Sequence, residues 1–406
     1  MRNDSETMFI EDCEQMGKKI RLLFLIQSLP VGGTEVALFN LLSAIDMDRF
    51  DITVYMYWAS GGFYHTFKDM ADKRGIKVRK MFNDMRSGKT LFEKLKNLYL
   101  LHIVEPQKLT RPRRFYKAAI EGEYDIEIAY TFFGTPIIIA ASQNKNSKKV
   151  AWIHGDMHTN SWCSKYYKSH KEQAENYRQY DKIVCVSETV RDAFVKVLGE
   201  NPALTVIHNP IDVNHIRELA LEGLDKNEGF VDERTVCAVG RLSEEKGYDR
   251  LIKIHKQLVD EGAWHKLIIV GDGPLRETLE NMASDLNVQE TVRFVGYDLN
   301  PYRYITRCRF LVCSSYSEGL PVVLQEALAL GRPVVSSHPS AEELFCGKVC
   351  GIVSGVDDAS LKAGMKKMLM DKEFYQNCVA QAQAVGGQMN YGSMVKAVEK
   401  MFESLV

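Results

Sequence analysis

The sequence predicts an α/β protein made of two doubly wound parallel-sheet domains. Three observations carry this expectation. The chain has 406 residues, too many for one ordinary core and well suited to two. Short apolar runs such as Ile20 to Gln27 and Phe310 to Cys313 are continuous rather than alternating, the pattern of strands buried on both faces of a parallel sheet. Each such run leads into a loop of small residues and then a helical pattern, in both halves of the chain. In sheets of this kind ligands bind where strands end and helices begin.

Bulk properties narrow the function classes. Hydrophobic residues make up 45% and charged residues 26%, ordinary for a soluble globular protein. With 52 basic and 53 acidic residues the formal net charge is -1, so no global field attracts nucleic acid or membrane, and any such binding must come from a local patch. The nine cysteines include no C-x-x-C pair, and Cys185, Cys237 and Cys313 sit inside apolar strand patterns. They read as reduced core residues of a cytoplasmic protein. The opening residues 1–19 are polar and lack the apolar stretch of a secretion signal. No apolar run reaches the length of a membrane span.

In the first half, the strand Ile20 to Gln27 runs into Pro30-Val31-Gly32-Gly33-Thr34-Glu35 and a helical pattern from Val36 to Ile45. Gly32 and Gly33 would let the backbone approach a phosphate at a helix start, although a diglycine also makes an ordinary turn. The alternation continues with strand Ile52 to Trp58, a helix near Phe63 to Ala71 and strand Ile76 to Lys80. From Arg86 to Lys117 the chain is rich in Lys and Arg with only Glu93 and Glu105 opposing, and leucines and aromatics are interleaved at helical spacing. Two readings stand: a core-facing helix with a solvated basic face, or a patch that lies on anionic lipid or on the phosphate of a lipid-linked acceptor. Strand Asp125 to Tyr130 and a short helix after Gly134 follow. The next strand ends in His154-Gly155-Asp156, which points His154 at the crevice. Gly155 and Asp156 interrupt any helix between His154 and His158, and the zinc-protease order H-E-x-x-H is absent, so no metal site is expected. Ile183 to Ser187 and Thr205 to Ile207 flank the helix Glu188 to Leu198, and Asn209-Pro210 marks a turn out of the domain.

After a charged connecting segment, 213–233, strand Val236 to Val239 ends in Gly240-Arg241-Leu242-Ser243-Glu244-Glu245-Lys246-Gly247. Arg241 and Lys246 at a strand mouth can neutralise a diphosphate, with arginine suited to forked hydrogen bonding. Leu267 to Val270 leads into Gly271-Asp272-Gly273-Pro274, and Val292 to Gly296 is the next strand. The most informative stretch is FLVCSSYSEGLPVVLQEALALGRPVVSS: strand Phe310 to Cys313, the loop Glu318-Gly319-Leu320-Pro321, a helix carrying Glu326 two turns in, a turn at Gly331 and a further strand. Pro321 suits the first helical turn, and the amides and dipole there favour an anion. Glu318 and Glu326 would repel a phosphate, so they are suited to accept hydrogen bonds from hydroxyls. A nucleotide sugar, with phosphates between two polyols, fits such a site. By itself a Glu-x7-Glu pair is equally compatible with a solvated helix face. Helical patterns from Ala359 to Met370 and Tyr391 to Phe402 close the chain.

These strings resemble, in order, the motifs of the retaining glycosyltransferases of the GT-B fold, family 4 (glycosyl transferases group 1). The matching stretches are GGTEVALFNLL, the histidine ending a strand at His154, the Asn-x-x-Asp element from Asn209 to Asp212, G-R-L-x-x-x-K-G from Gly240 to Gly247, Gly-Asp-Gly-Pro from Gly271, and Ser-x-x-Glu-Gly-Leu-Pro with Glu326 beyond it. The loop Ser337-His338-Pro339-Ser340-Ala341-Glu342-Glu343-Leu344 departs from the glycine-bearing pattern common at that place, which leaves its share in sugar choice open.

The resemblance implies two Rossmann-like doubly wound domains facing across a cleft: 20–208 for the acceptor and 234–386 for the donor, with a polar extension at 1–19, a hinge and linker at 209–233, and a final helix at 387–406 crossing back to the first domain. It implies that His154, Arg241, Lys246 and Glu318 are catalytic. Donor binding falls to Gly32, Gly33, Gly240, Gly271, Gly273, Gly319, Leu320, Pro321, Val322 and Glu326. Asp156 and Asn209 are candidate acceptor or sugar contacts. No cofactor or metal is implied beyond a nucleotide-sugar co-substrate, with a uridine nucleotide favoured over a guanosine one. The implied acceptor is a saccharide or lipid-linked saccharide of surface polysaccharide or glycolipid synthesis, at the inner membrane face. A nucleotide-sugar epimerase of the same architecture and a non-catalytic nucleotide-sugar-binding module are the rival readings.

Overall fold

The computed structural model describes residues 18–30, 32–58, 61–82, 111–159, 163–224 and 229–406. Most of the polar extension, Val31, and the basic segment as far as residue 110 lie outside the described residues. Seven parallel strands form the first sheet: β1 (Ile20–Ile26), β2 (Phe50–Trp58), β3 (Lys77–Phe82), β4 (Ile126–Ala129), β5 (Lys148–Ile153), β6 (Lys182–Cys185) and β7 (Leu204–Val206), in the order β3-β2-β1-β4-β5-β6-β7. Six more form the second: β8 (Thr235–Val239), β9 (Lys266–Val270), β10 (Val292–Gly296), β11 (Phe310–Cys313), β12 (Val334–Ser336) and β13 (Gly351–Val353), in the order β10-β9-β8-β11-β12-β13. In both sheets the order reverses beside the first strand, between β1 and β4 and between β8 and β11. Those switch points open the crevices in which doubly wound sheets bind ligands.

The continuous apolar strands behave as their composition requires. Leu22 to Leu25 and Leu267 to Ile269 are fully buried because helices cover both faces of each sheet. Cys185, Cys237, Cys308, Cys313, Cys350 and Cys378 are buried free thiols, and Cys346 is exposed. Among the described residues no helix is long and apolar enough to cross a membrane.

Elements not read from the sequence include the helix His170–Tyr177, the short helix Tyr302–Ile305, strand β13, and the 17-residue helix Lys372–Gln388. The last lacks a clear apolar stripe, since Cys378, Ala382, Val385 and Gly386 are its buried residues. Small side chains suffice there because the helix packs closely on the helix Val322–Ala329. The final helix, Tyr391–Glu403, returns to the first sheet, where Phe402 meets Phe24 and Phe50 edge-on at 6.1 Å each. Glu399 accepts the Asp46 amide at 2.8 Å.

The two lobes touch directly. Glu343 accepts the backbone amides of Glu188 and Thr189 at 2.7 and 2.9 Å and the Thr189 hydroxyl at 2.9 Å. Ser187 Oγ donates to the Gly319 carbonyl (3.1 Å), and Thr159 Oγ1 lies 2.6 Å from Ser317 Oγ. Just after β7, where the chain leaves the first sheet, the Asn209 carbonyl accepts Gln325 Nε2 at 3.1 Å. The first-lobe helix Glu188–Leu198 thus takes its N-terminal cap partly from its own Ser187 and partly from a carboxylate of the second lobe.

Candidate active site

Three loops of the second lobe converge at the mouths of β8, β9 and β11. Gly271 has φ +146°, and a Cβ there would lie 2.9 Å from the Gly240 carbonyl carbon, so only glycine lets these two loops close on each other. A Cβ on Gly273 would similarly meet the Leu242 amide nitrogen at 2.7 Å. The 240 loop is tied to the 314 loop by Ser314 Oγ donating to the Lys246 carbonyl (2.8 Å) and by the Tyr316 amide donating to the Glu245 carbonyl (2.8 Å).

This framework brings Lys246 and Glu318 together: Lys246 Nζ donates to Glu318 Oε1 at 2.6 Å, and Ser315 Oγ donates to the same oxygen at 2.6 Å. Burial pulls the Lys246 ammonium down, but the adjacent Glu318 carboxylate outweighs it and holds the amine above its ordinary range. Arg241 lies exposed in the same loop and makes no ion pair among the described residues. Of the two expected cations, one is therefore fixed by a partner and one is free to reach a ligand.

Glu326 is placed one turn into the helix Val322–Ala329, not two, and Pro321 is the residue that precedes the first helical turn rather than part of it, with ψ 110°. The start of this helix borders the first lobe: Gly33 stands against Val322, where a Cβ on Gly33 would lie 3.5 Å from Val322 Cγ2. The Glu326 carboxyl is 7% exposed, and Tyr302 Oη donates to its Oε1 at 3.0 Å. Burial raises its pKa to about 7, the Tyr302 hydrogen bond acting against that rise.

From the first lobe, His154 follows β5 at its C-terminal end and lies against Tyr130, ring centroids 4.6 Å apart. Both ring nitrogens are buried without a well-aligned hydrogen bond; burial lowers the pKa to about 3, the nearby Tyr130 backbone only opposing that fall, so the ring is neutral. Buried polar atoms are ordinarily paired; two orphans on one ring at a strand mouth are what a site built for a polar ligand leaves behind. Gly319 of the second lobe packs on the His154 backbone so closely that a Cβ would lie 2.7 Å from the His154 carbonyl carbon. Loop 317–320 and His154 therefore belong to one site.

The remaining candidates fall differently. Asp156 Oδ1 accepts the amides of His158 (2.7 Å) and Thr159 (3.3 Å) and so closes a turn. His158 points away to Lys196, 2.8 Å distant. Asn209 is buried beyond the end of β7 with its Oδ1 unpaired. Gly32 leads the first helix, and a Cβ there would crowd Glu35 Oε2 at 2.7 Å. Leu320 is buried between the loop and the helix start. An Asp-x-Asp triplet, Asp46-Met47-Asp48, stands in the turn before β2 with the Asp48 amide bonded to Asp46 Oδ1 (2.9 Å), at the opposite end of the sheet from these strand mouths.

Sequence reasoning missed Arg250, whose Y-D-R-L context resembles an exposed helix position. It is buried behind the 314–318 loop, donating to the Ser314 carbonyl (2.8 Å) and Ser337 Oγ (2.7 Å), with Tyr316 stacked 4.2 Å from its guanidinium. It braces the loop that carries Glu318. Glu35 was also passed over: burial raises its pKa to about 7 beside the diglycine. Nothing in T-E at a helix start distinguishes this carboxyl from an ordinary dipole-favouring acid.

Two Rossmann-like lobes thus bring the Lys246–Glu318 pair, the buried Glu326 and a neutral histidine to the strand mouths on either side of one contact between them. Two family models match the chain: Glycosyltransferase Family 4 over residues 31–215 and Glycosyl transferases group 1 over residues 223–385. The chain belongs to this glycosyltransferase family. It is 35% identical over 178 residues to the Campylobacter jejuni N-acetylgalactosamine-N,N'-diacetylbacillosaminyl-diphospho-undecaprenol 4-alpha-N-acetylgalactosaminyltransferase, covering 42% of this chain and 47% of that one, about half the length of that relative. To the GDP-mannose-dependent alpha-(1-6)-phosphatidylinositol monomannoside mannosyltransferase of Mycolicibacterium smegmatis it is 27% identical over 304 residues, 71% of this chain and 78% of the other. Among solved structures, Anabaena HepE in complex with UDP and glucose superposes with a TM-score of 0.72 at 20% identity, over 95% of this chain and all of that one. The likeness shows the fold, which is GT-B.

Proposed function

We propose that the chain is a retaining glycosyltransferase that moves a sugar from a nucleoside-diphosphate sugar to a hydroxyl of a saccharide or lipid-linked saccharide. The observation that carries the reading is the close packing of Gly319, next in the chain to the Glu318 that holds Lys246, on the backbone of His154 in the other lobe, whose buried ring nitrogens lack a well-aligned hydrogen bond. In the reaction the bond from the anomeric carbon to the diphosphate breaks, its electron pair leaving with the diphosphate, while the acceptor hydroxyl oxygen bonds the same carbon and its proton passes to the departing diphosphate oxygen. Charge therefore develops on the leaving group, and groups already aimed at it give the largest stabilisation. Lys246, Arg241 and the helix start at Leu320 to Val322 take that role, with the glycines at 32, 33, 240, 271 and 273 leaving room for the phosphates. When the donor enters, Lys246 exchanges the Glu318 oxygen for phosphate, which frees the carboxylate to accept sugar hydroxyls. His154, neutral and unpaired, orients the sugar at the reacting carbon, and Glu326 accepts the ribose hydroxyls. The clamp cations take the place of a metal ion.

A uridine nucleotide is the favoured donor, and the relatives' names support an acceptor that is a glycolipid or a lipid-linked sugar. Arg111, Arg113, Arg114 and Lys117, all exposed on and beside the helix Pro112–Ala119, supply a cationic surface by which the first lobe could sit on an anionic membrane from the cytoplasmic side. A thermal-shift screen of UDP- and GDP-sugars tests the donor, because a ligand of the folded state raises the midpoint by mass action. Transfer with retained anomeric configuration, read by NMR of the product, tests the reaction. Lys246→Ala should lower turnover by about 100-fold or more while leaving the unfolding midpoint close to that of the wild type. Full turnover in that variant would refute the clamp.

A further inference from the structure

We infer that Tyr302 is a positioning residue for the nucleotide, acting through Glu326 to select ligands that carry an intact ribose diol. This inference rests on the assignment of Glu326 to the ribose. Tyr302 opens the short helix Tyr302–Ile305 that follows β10, and its hydroxyl donates to Glu326 Oε1 at 3.0 Å. It is the one hydrogen-bond partner of that carboxyl among the described residues. A buried carboxylate with a single protein partner is under-satisfied, because each oxygen can accept two hydrogens. Oε2 and the second lone pair of Oε1 remain, which is the acceptor set that two adjacent hydroxyls require.

The tyrosine is itself held firmly. Its ring packs in the small apolar cluster of Ile211, Val213, Ile216, Val322 and Ala329, which joins the hinge to the donor-side helix. The phenol is therefore kept protonated, as a donor only toward the carboxyl: burial and the neighbouring Glu326 both raise its pKa. Burial also pushes the Glu326 carboxyl toward the neutral form, and the Tyr302 bond opposes this. Each consequence favours one arrangement, a carboxylate turned so that its unshared side faces the ribose. A phenylalanine in place of Tyr302 would keep the packing and lose both orientation and charge support.

The test is calorimetric binding of UDP, with GDP in parallel, and of the matching 2′,3′-dideoxynucleoside diphosphates, to wild type, Tyr302→Phe, Glu326→Gln and the double variant. One hydrogen bond to a charged group corresponds to about a tenfold change in affinity. Tyr302→Phe should therefore bind the ribonucleotide about tenfold more weakly and the dideoxynucleotide as well as wild type does, and it should add little to Glu326→Gln. If both ligands weaken equally in Tyr302→Phe, the residue serves only packing and the inference is overturned. Weakened binding in Glu326→Gln with unchanged binding in Tyr302→Phe overturns the role of the tyrosine alone. Unchanged ribonucleotide binding in Glu326→Gln overturns the ribose assignment and this inference with it.

Discussion

Glu343 offers the most direct test of how the two lobes hold together. Its carboxylate accepts two amides and a hydroxyl at the start of a helix in the opposite lobe and lies 3.4 Å from His208 Nε2. Burial alone would raise its pKa; the His208 contact and the Thr189 and Glu188 hydrogen bonds overcome that and lower it from 4.5 to about 2. A shift of one unit corresponds to about 1.4 kcal/mol, so the interactions favour the ionised, docked carboxylate by roughly 2–3 kcal/mol after allowance for its partial exposure. All these partners belong to the first lobe, so the stabilisation is lost when the cleft opens as well as when the chain unfolds. Glu343→Ala should therefore raise the open population on the order of 30- to 100-fold. Amide hydrogen exchange at Glu188 and Thr189 should accelerate by the same factor, because those amides lose their only acceptor. The folded-state pKa is depressed, so the contribution is present above about pH 4.5 and is lost as pH falls toward 2. Unchanged exchange across residues 187–191 in Glu343→Ala would refute the reasoning.

Other expectations rest on separate features. Gly319→Ala would drive a Cβ into the His154 backbone, which is not a flexible group that can yield. Because the collision is between lobes, this variant should fold with near-normal far-ultraviolet circular dichroism yet lose transfer activity by about 100-fold or more; near-wild-type turnover would mean the closed arrangement is not the active one. In the second lobe, His255 Nδ1 lies 2.9 Å from His265 Nε2, and His265 Nδ1 lies 2.9 Å from the Ala263 carbonyl, which can only accept. His265 must donate there, so His255 donates to His265. Both are kept neutral, chiefly by burial, with His255 lowered to about 3. Unfolding exposes groups that protonate near 6.5, so stability should be full above that pH and fall below it, by up to about 1.4 kcal/mol per pH unit from His255 down to about pH 3, with His265 acting in the same direction. Urea unfolding at pH 7.5 and 5.5 measures this, and a pH-independent midpoint would be inconsistent with it. Arg250→Met should leave the second lobe folded but slacken the Glu318 loop, so donor affinity should fall by about tenfold, read by calorimetry; equal affinity would show that the loop holds itself.

What the sequence by itself determined was the local grammar. Continuous apolar runs such as Leu22 to Ile26 can only be strands covered on both faces, and the small residues after them can only be turns into helices. Those two facts place Gly33, Gly240, Gly271 and Glu318 at strand mouths before any coordinates are considered. The helix Lys372–Gln388 was illegible because its buried side is made of Cys378, Ala382 and Gly386, small residues whose value lies in close approach to another helix rather than in a hydrophobic stripe. The pairing of sites across the cleft was likewise a matter of tertiary structure. Nothing local in A-E-E-L marks Glu343 as the cap of a helix 155 residues away, and nothing in Y-D-R-L marks Arg250 as a buried brace. Tyr302 and Glu326, 24 residues apart, become partners only because β10 and β11 are separated in their sheet by β9 and β8 while the helices that follow them pack together. Strand pattern is written in side chains that meet water or do not; the choice of partner is written in geometry that exists only once both sheets have formed.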